Sequence, residues 1–417
     1  SAAGPYINVR LDQKALAASV LPEVLAHSNE PGPLSGQRIV VEFSCPNTNK
    51  PLHLGHLRND AIGESVSRIL AAAGADVVKV NLINDRGIHI CKSMLAYQRF
   101  GNGETPEARG EKPDHFVGGY YVRYNTWARE DEAAETQAQE MLRAWEAGDQ
   151  ETVNLWERMN GWAIRGIQQT YDRTGIRFDR YDYESQTYRI GREEVLRGLK
   201  AGTFFRADDG SVQVDLSDIN LDTKVLLRKD GTSLYLTQDI GTAIERQRAI
   251  GFDRLIHVVG SEQRYHFQVL FEVLRRLGFA WASNLHHLAY GMVNLPEGKM
   301  KSREGTVVDA DDLLDELSAM AMEEIRQKAR ISDPTQAGQT ADAIALGALH
   351  YFLLQTGAAR DMVFDPKQSL SFTGDTGPYL QYVGARVASM LAKAAGDGLG
   401  PADPSDGTAT AMLSAEE

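Results

Sequence analysis

Between Arg38 and Ile83 the chain carries a pattern that few folds accommodate. An apolar run, Ile39-Val40-Val41-Glu42-Phe43, reads as a buried strand over Arg38–Ser44. From Leu57 to Ala73, apolar residues at Leu57, Ile62, Val66, Ile69 and Leu70 are spaced for one helix face, and Gly74 stops it. Val77 to Ile83 reads as a second strand. Strand, helix and strand within about 45 residues make a βαβ unit, which requires a parallel sheet with helices on its faces.

The alternation returns later. Helix Asp239 to Ile250, strand Arg254 to Val259, helix Gln263 to Leu277 and strand Leu285 to Tyr290 form a second half, entered through a hairpin near Val225 to Leu236 that turns at Asp230-Gly231. Between the halves, Phe100 to Tyr188 is rich in Trp, Tyr, Arg and Glu, with one long polar helix from Glu130 to Ile167, and reads as an insertion outside the sheet. The expected fold is therefore α/β, a doubly wound, Rossmann-like parallel sheet split by an insertion. An all-helical segment follows, with helices over Asp311 to Ala329, Thr340 to Thr356 and Pro378 to Ala395. The expected divisions are 1–36 (a short strand over Gly4–Arg10, a helix over Gln13–His27 and a linker left from a preceding domain), 37–100, the insertion 101–222, 223–306, and 307–417.

Composition excludes several classes of protein. No apolar run in the 417 residues approaches the ~20 needed to cross a bilayer. The start, Ser1-Ala2-Ala3-Gly4-Pro5, has no secretory pattern. Two cysteines, Cys45 and Cys91, make no disulfide framework and fit a reducing cytoplasm. A net charge of −13 argues against indiscriminate binding to DNA or an anionic membrane, though a local basic surface could still hold RNA.

Two stretches carry chemistry. Pro46-Asn47-Thr48-Asn49-Lys50-Pro51-Leu52-His53-Leu54-Gly55-His56 follows the first strand and opens its helix, where free backbone N–H groups make a phosphate site. Gly55 would let a nucleotide approach the backbone, and His53 and His56 could donate to phosphoryl oxygens. The bland alternative is an accidental H-x-x-H. A zinc site from Cys45, His53, His56, His89 and Cys91 is a further one, weakened by the lack of a C-x-x-C knuckle. The second stretch, Gly298-Lys299-Met300-Lys301-Ser302-Arg303-Glu304-Gly305, is a basic loop that alone reads as a solvated charge run, but it lies beyond the last strand, within reach of a triphosphate at the first helix. Glu42, a carboxylate inside a buried strand, is costly unless a cation relieves it.

H-L-G-H after the first strand and K-M-K-S-R after the last resemble the two signatures of class I aminoacyl-tRNA synthetases. More narrowly, the chain resembles the arginyl-tRNA synthetases in Ser44-Cys45-Pro46-Asn47, Lys112-Pro113-Asp114-His115-Phe116-Val117-Gly118, Tyr235-Leu236-Thr237-Gln238-Asp239-Ile240, Val259-Gly260-Ser261-Glu262-Gln263 and Asp375-Thr376-Gly377-Pro378-Tyr379. The resemblance implies an ATP-dependent arginine–tRNA ligase with L-arginine, ATP (carrying Mg²⁺, with no dedicated metal site on the protein) and tRNA(Arg) as partners, working as a monomer in the cytoplasm. It implies Asp239 and Glu42 on the guanidinium beside Tyr235, and Cys45, Asn47, His56 and Gln263 around the amino-acid head group. His53, Gly55, His56, His266, Met292, Val293, Lys299 and Lys301 would meet ATP. Lys50, His53, His56 and Lys299 would be catalytic, with Lys50 standing in for the lysine that Ser302 replaces in the second signature. The resemblance further implies that arginine activation needs bound tRNA, and that this chain is a catalytic core shortened at both ends. A class I synthetase for lysine and a non-catalytic arginine- or RNA-binding protein remain the alternatives.

Overall fold

The computed structural model describes residues 32–294, 308–328, 333–371 and 373–400, with residues 2–3, 6–7, 12, 15–16 and 18–20 before them. Its centre is a five-stranded, all-parallel sheet. The strands are β1 (Arg38–Glu42), β2 (Asp76–Ile83), β3 (Arg180–Tyr183), β4 (Arg254–Gly260) and β5 (Leu285–Tyr290), in the spatial order β5-β4-β1-β2-β3. Ile39 lies opposite Val77 on one side and Arg254 on the other, so β1 is central. That is the doubly wound order, and the winding reverses between β1 and β4, where such sheets open a crevice at the carboxyl ends of their strands.

The period of two along β1 sorts its side chains between two cores. Ile39, Val41 and Phe43 pack with α1 (Leu54–Ala72) and with three later helices, whereas Val40 packs on the opposite face. In chain order the later helices are α2 (Ile88–Phe100), α3 (Pro113–Trp127), α4 (Ala133–Ala147), α5 (Gln150–Thr174), α6 (Glu184–Lys200), α7 (Tyr235–Ile250), α8 (Arg264–Arg276), α9 (Ala310–Lys328), α10 (Pro334–Gln355) and α11 (Gly377–Gly396). The first core takes in Ile167 and Tyr171 of α5 with α9 and α10; the second takes in α6, α7 and α8. Helices α2 to α5 close a third, aromatic core around Tyr97, Phe116, Tyr120 and Trp162.

Three expectations change. The stretch Phe100–Tyr188 is not wholly outside the sheet, because β3 pairs in parallel with β2, Leu82 opposite Asp182. Its polar, aromatic sequence hides a four-residue edge strand. The long helix read over Glu130–Ile167 is two, α4 and α5, broken where Gly148 turns left-handed (φ 79°) and Asp149 caps the Thr152 N–H. The hairpin at Asp230-Gly231 forms, with Gly231 at φ 80°, but its second arm is a single bridge, Leu227 to Ser233, because α7 begins at Tyr235. Near the amino terminus, Ala2–Ala3 pairs antiparallel with Tyr6–Ile7, and residues 15–16 and 18–20 of the expected Gln13–His27 helix are helical. Among the described residues, no helix is long and apolar enough to cross a membrane.

Candidate active site

The turn from β1 into α1 builds one end of the crevice. His53 is the N-cap of α1, and its Nδ1 accepts the Gly55 N–H at 3.1 Å, while Nδ1 of His56 accepts the His53 N–H at 3.1 Å. This is a capping box made of two imidazoles. A ring nitrogen that accepts a backbone proton needs its lone pair, so each neutral ring carries its proton on Nε2, free to donate outward. Burial first, and the neighbouring Lys50 second, push His53 down to about 3, and burial and His53 hold His56 well below its ordinary value. Both rings are neutral donors at pH 7, with centroids 4.0 Å apart.

The expected phosphate site of free N–H groups is not there. The Leu54 N–H goes to the Val308 carbonyl at 3.0 Å and the His56 N–H to the His53 carbonyl at 2.7 Å, which with the two imidazole bonds satisfies the first turn. Gly55 has a local reason too, since a Cβ there would lie 2.9 Å from the His53 ring. Anion recognition at this end falls to the two Nε2–H groups and to Lys50, which forms no ion pair among the described residues and whose ammonium is lowered by burial. A cavity of about 280 Å³ opens beside them, lined by Lys50, His53, His115, Tyr121 and Asp309.

The acidic end differs from expectation at Glu42. Its carboxylate is not unpaired: Arg246 of α7, fully buried, donates to one oxygen and His257 of β4 bonds the other at 2.7 Å. Arg246 also holds Asp182 at 2.7 Å. Burial alone would raise Glu42, but Arg246 and His257 keep it well below the usual carboxylate range. Its charge is compensated inside the protein, and no substrate cation is required to relieve it.

The uncompensated acid is Glu184, which the sequence reading missed. It stands one residue beyond the carboxyl end of β3, opens α6, and is 4% exposed. Burial, then Asp239 and Asp85, push it up to about 8, against the opposing pull of Arg86. With its amide turned so that the nitrogen faces Glu184, Gln238 donates to Glu184 at 3.2 Å and accepts from Arg86 at 2.6 Å. Asp239, in the first turn of α7, bonds Nε2 of His266 at 2.6 Å, and that contact raises His266 despite its burial. Tyr235 lies four residues before Asp239 and is 61% exposed. Over Tyr235 and Gln238 sits a second cavity of about 390 Å³, also lined by Arg86, Arg143 and Arg228. A carboxyl group that keeps its proton for want of a cation, beside a second acid, is one that a positive charge placed nearby would help to ionise. The two cavities share no lining residue: the first holds a neutral donor and an ammonium, and the second opens over Tyr235 and Gln238 on the helix that carries Asp239.

Residues 20–366 match the family of class I tRNA synthetases (R), catalytic domain. The chain belongs to this family. An arginine–tRNA ligase of Treponema denticola is 60% identical over 398 residues, covering 94% of this chain and 68% of that protein. One from Borrelia hermsii is 51% identical over 402 residues, covering 94% and 68% respectively. Among solved structures, an arginyl-tRNA synthetase of Thermus thermophilus superposes with a TM-score of 0.78 at 28% identity, covering 96% of this chain and 71% of that one.

Within this class I synthetase core, Cys45 and Asn47 lie on the β1–α1 loop, where Asn84 gives its amide to the Cys45 carbonyl at 2.8 Å and Asn47 bridges to Asn84. Burial, followed by Glu42, raises the Cys45 thiol well above its ordinary value, which disfavours the thiolate. Gln263 is exposed just past β4, on the short helical turn Ser261–Gln263. His266, expected at ATP, is held on Asp239. Met292 and Val293 follow β5; Arg58, a fully buried guanidinium, donates to the Gly291 and Met292 carbonyls at 2.8 and 3.0 Å, and Val293 pairs with Met362. Lys299 and Lys301 lie outside the described residues. Among the described residues the cysteines and histidines weighed for zinc form no ligand group. The one such group is Asp114, His115 and Asp311. There the Lys112 ammonium sits 2.9 Å from Asp114 and 2.7 Å from Asp311, already supplying the positive charge.

Proposed function

We propose that this chain ligates L-arginine to tRNA(Arg) at the expense of ATP. The guanidinium enters between Asp239 and Glu184 beside Tyr235, a pairing suited to a planar, permanently charged group. Cys45 and Asn47 on the loop, with Gln263 opposite, hold the α-amino and carboxylate groups. Mg-ATP lies toward α1, its adenine near Met292 and Val293. The arginine carboxylate oxygen attacks the α-phosphorus, the bond to the β-phosphate oxygen breaks, and pyrophosphate leaves. Nε2–H of His53 and of His56, with Lys50 and Lys299, meets the charge as it builds on the phosphoryl oxygens, while Lys301 meets the triphosphate. A terminal ribose hydroxyl of tRNA then attacks the activated carbonyl and AMP departs. Most of the acceleration is positioning and electrostatics, as in other phosphoryl chemistry. We place the protein in the cytoplasm and read it as a monomer.

The observation that carries this reading is Glu184, buried beside Asp239 with no ion pair among the described residues, together with two neutral imidazoles and an unpaired lysine at the mouth of α1. Pyrophosphate exchange in the presence of tRNA is expected with arginine and not with lysine. His53→Ala is expected to lower kcat by roughly 10²–10³, the usual loss for one aimed donor. Exchange by His53→Ala at the parent rate would refute the assigned role.

A further inference from the structure

The loop from β1 to α1 enters the left-handed region twice in succession, at Ser44 (φ 73°) and Cys45 (φ 50°). Neither is glycine, and an L side chain is disfavoured there. Side chains from three elements hold the loop in that shape. Asn59 of α1 accepts the Ser44 N–H at 2.6 Å, and its own amide is anchored on the Val258 carbonyl of β4 at 2.8 Å and on the Tyr290 hydroxyl at 3.1 Å. Asn81 of β2 accepts the Cys45 N–H at 3.1 Å and donates to the Tyr171 hydroxyl at 3.0 Å. That hydroxyl, on α5, also meets Ser44 Oγ at 2.6 Å. Ser44, Asn59, Asn81 and Tyr171 are all buried. Both N–H groups of the left-handed pair are thus bound to the sheet and the helices behind it.

We propose that Asn59, Asn81 and Tyr171 are positioning residues for the amino-acid head group. They hold Ser44 and Cys45 left-handed, so that Cys45 and Asn47 face the crevice in a shape the loop would not keep alone. This rests on the reading of Cys45 and Asn47 as head-group contacts. None of the three residues touches substrate. Strained backbone at a binding loop persists only where its surroundings over-determine it, and here the surroundings are three buried polar side chains.

Tyr171→Phe keeps the ring and its packing against Phe178 (centroids 5.3 Å apart) and deletes only the hydroxyl. The expected result is an arginine Kd weaker by roughly tenfold, with the KM for ATP unchanged. Adding Ser44→Gly to Tyr171→Phe is expected to restore the arginine Kd, because glycine enters the left-handed region without steric penalty. Lost packing would not be rescued in this way. Asn81→Ala, read by the same titration, serves if Tyr171→Phe fails to fold. Parent-like arginine binding by the hydroxyl-less variant, or a loss that Ser44→Gly leaves in place, overturns the proposal. A parent chain that takes up no arginine overturns the substrate reading itself, which is a separate outcome.

Discussion

Arginine uptake should release a proton from Glu184. Burial beside Asp239 and Asp85 raises this carboxyl to about 8, from an ordinary 4.5. Those roughly 3.5 pH units correspond to about 5 kcal/mol favouring the protonated form. At pH 7 only about one molecule in eleven has Glu184 ionised, so a guanidinium that needs the carboxylate binds about tenfold more weakly than above pH 9. The sign follows from the direction of the shift: raising the pH from 6 toward 8 ionises Glu184 and tightens arginine binding, by about ninefold from pH 6 to 7 and about fivefold from 7 to 8. The groups facing Glu184 are Asp85 and Arg86 after β2, and Tyr235, Gln238 and Asp239 on α7. His266, which Asp239 holds, adds a proton of its own if the guanidinium displaces it. Calorimetry at pH 7 in two buffers of different ionisation heat is expected to show about 0.9 proton released per arginine from Glu184. Glu184→Gln removes that share and leaves only what His266 contributes. Uptake with no proton release in the parent, or an unchanged pH slope in Glu184→Gln, would refute the reasoning.

Two further outcomes follow from buried charge. Asp60, buried in α1 with no cation paired to it among the described residues, is raised by burial to about 7, against the opposing pull of Ser44. Its neutral form stabilises the fold below pH 4 and that contribution is lost as pH rises through 7, so Asp60→Asn should be more stable than the parent at pH 8 by up to ~4 kcal/mol; parallel urea-unfolding curves from pH 4 to 8 would show otherwise. Arg246→Met leaves Glu42 and Asp182 buried without their shared cation, and its chemical denaturation should show a loss of about 3–5 kcal/mol; a loss below about 1 kcal/mol would mean that His257 on Glu42 and Arg180, 2.6 Å from Asp182, suffice.

The sheet was legible because its strands are short, β-branched and separated by amphipathic helices. Four of the five strands and the helices after β1 and β4 fall within a few residues of where periodicity puts them. The histidine pair was legible as a motif, but its physics was not. Nothing in H-L-G-H says that the two rings cap their own helix and use up the backbone N–H groups that a bare helix start would offer. β3 escaped for a specific reason. Arg180–Tyr183 is an edge strand of sequence Arg-Tyr-Asp-Tyr, so it lacks the apolar run that marks the other four strands.

Missing β3 also hid one of two strand-end acids. Parallel sheets present ligands at the carboxyl ends of their strands, and Glu184 stands at that end of β3 as Glu42 does at that end of β1. With β3 read as insertion, Glu184 had no sheet to belong to, and the one visible strand-end carboxylate had to account for the positive substrate. A sequence displays a buried charge but not its partner. The partner of Glu42 arrives 204 positions later, when α7 lays Arg246 beneath the sheet, and Arg246 in turn spans to Asp182 in the overlooked strand. Wherever a buried carboxylate meets an arginine of its own chain, its charge belongs to the fold. The acid left without such a partner, close enough to a second acid to be pushed up by it, is the one a cationic ligand can stabilise.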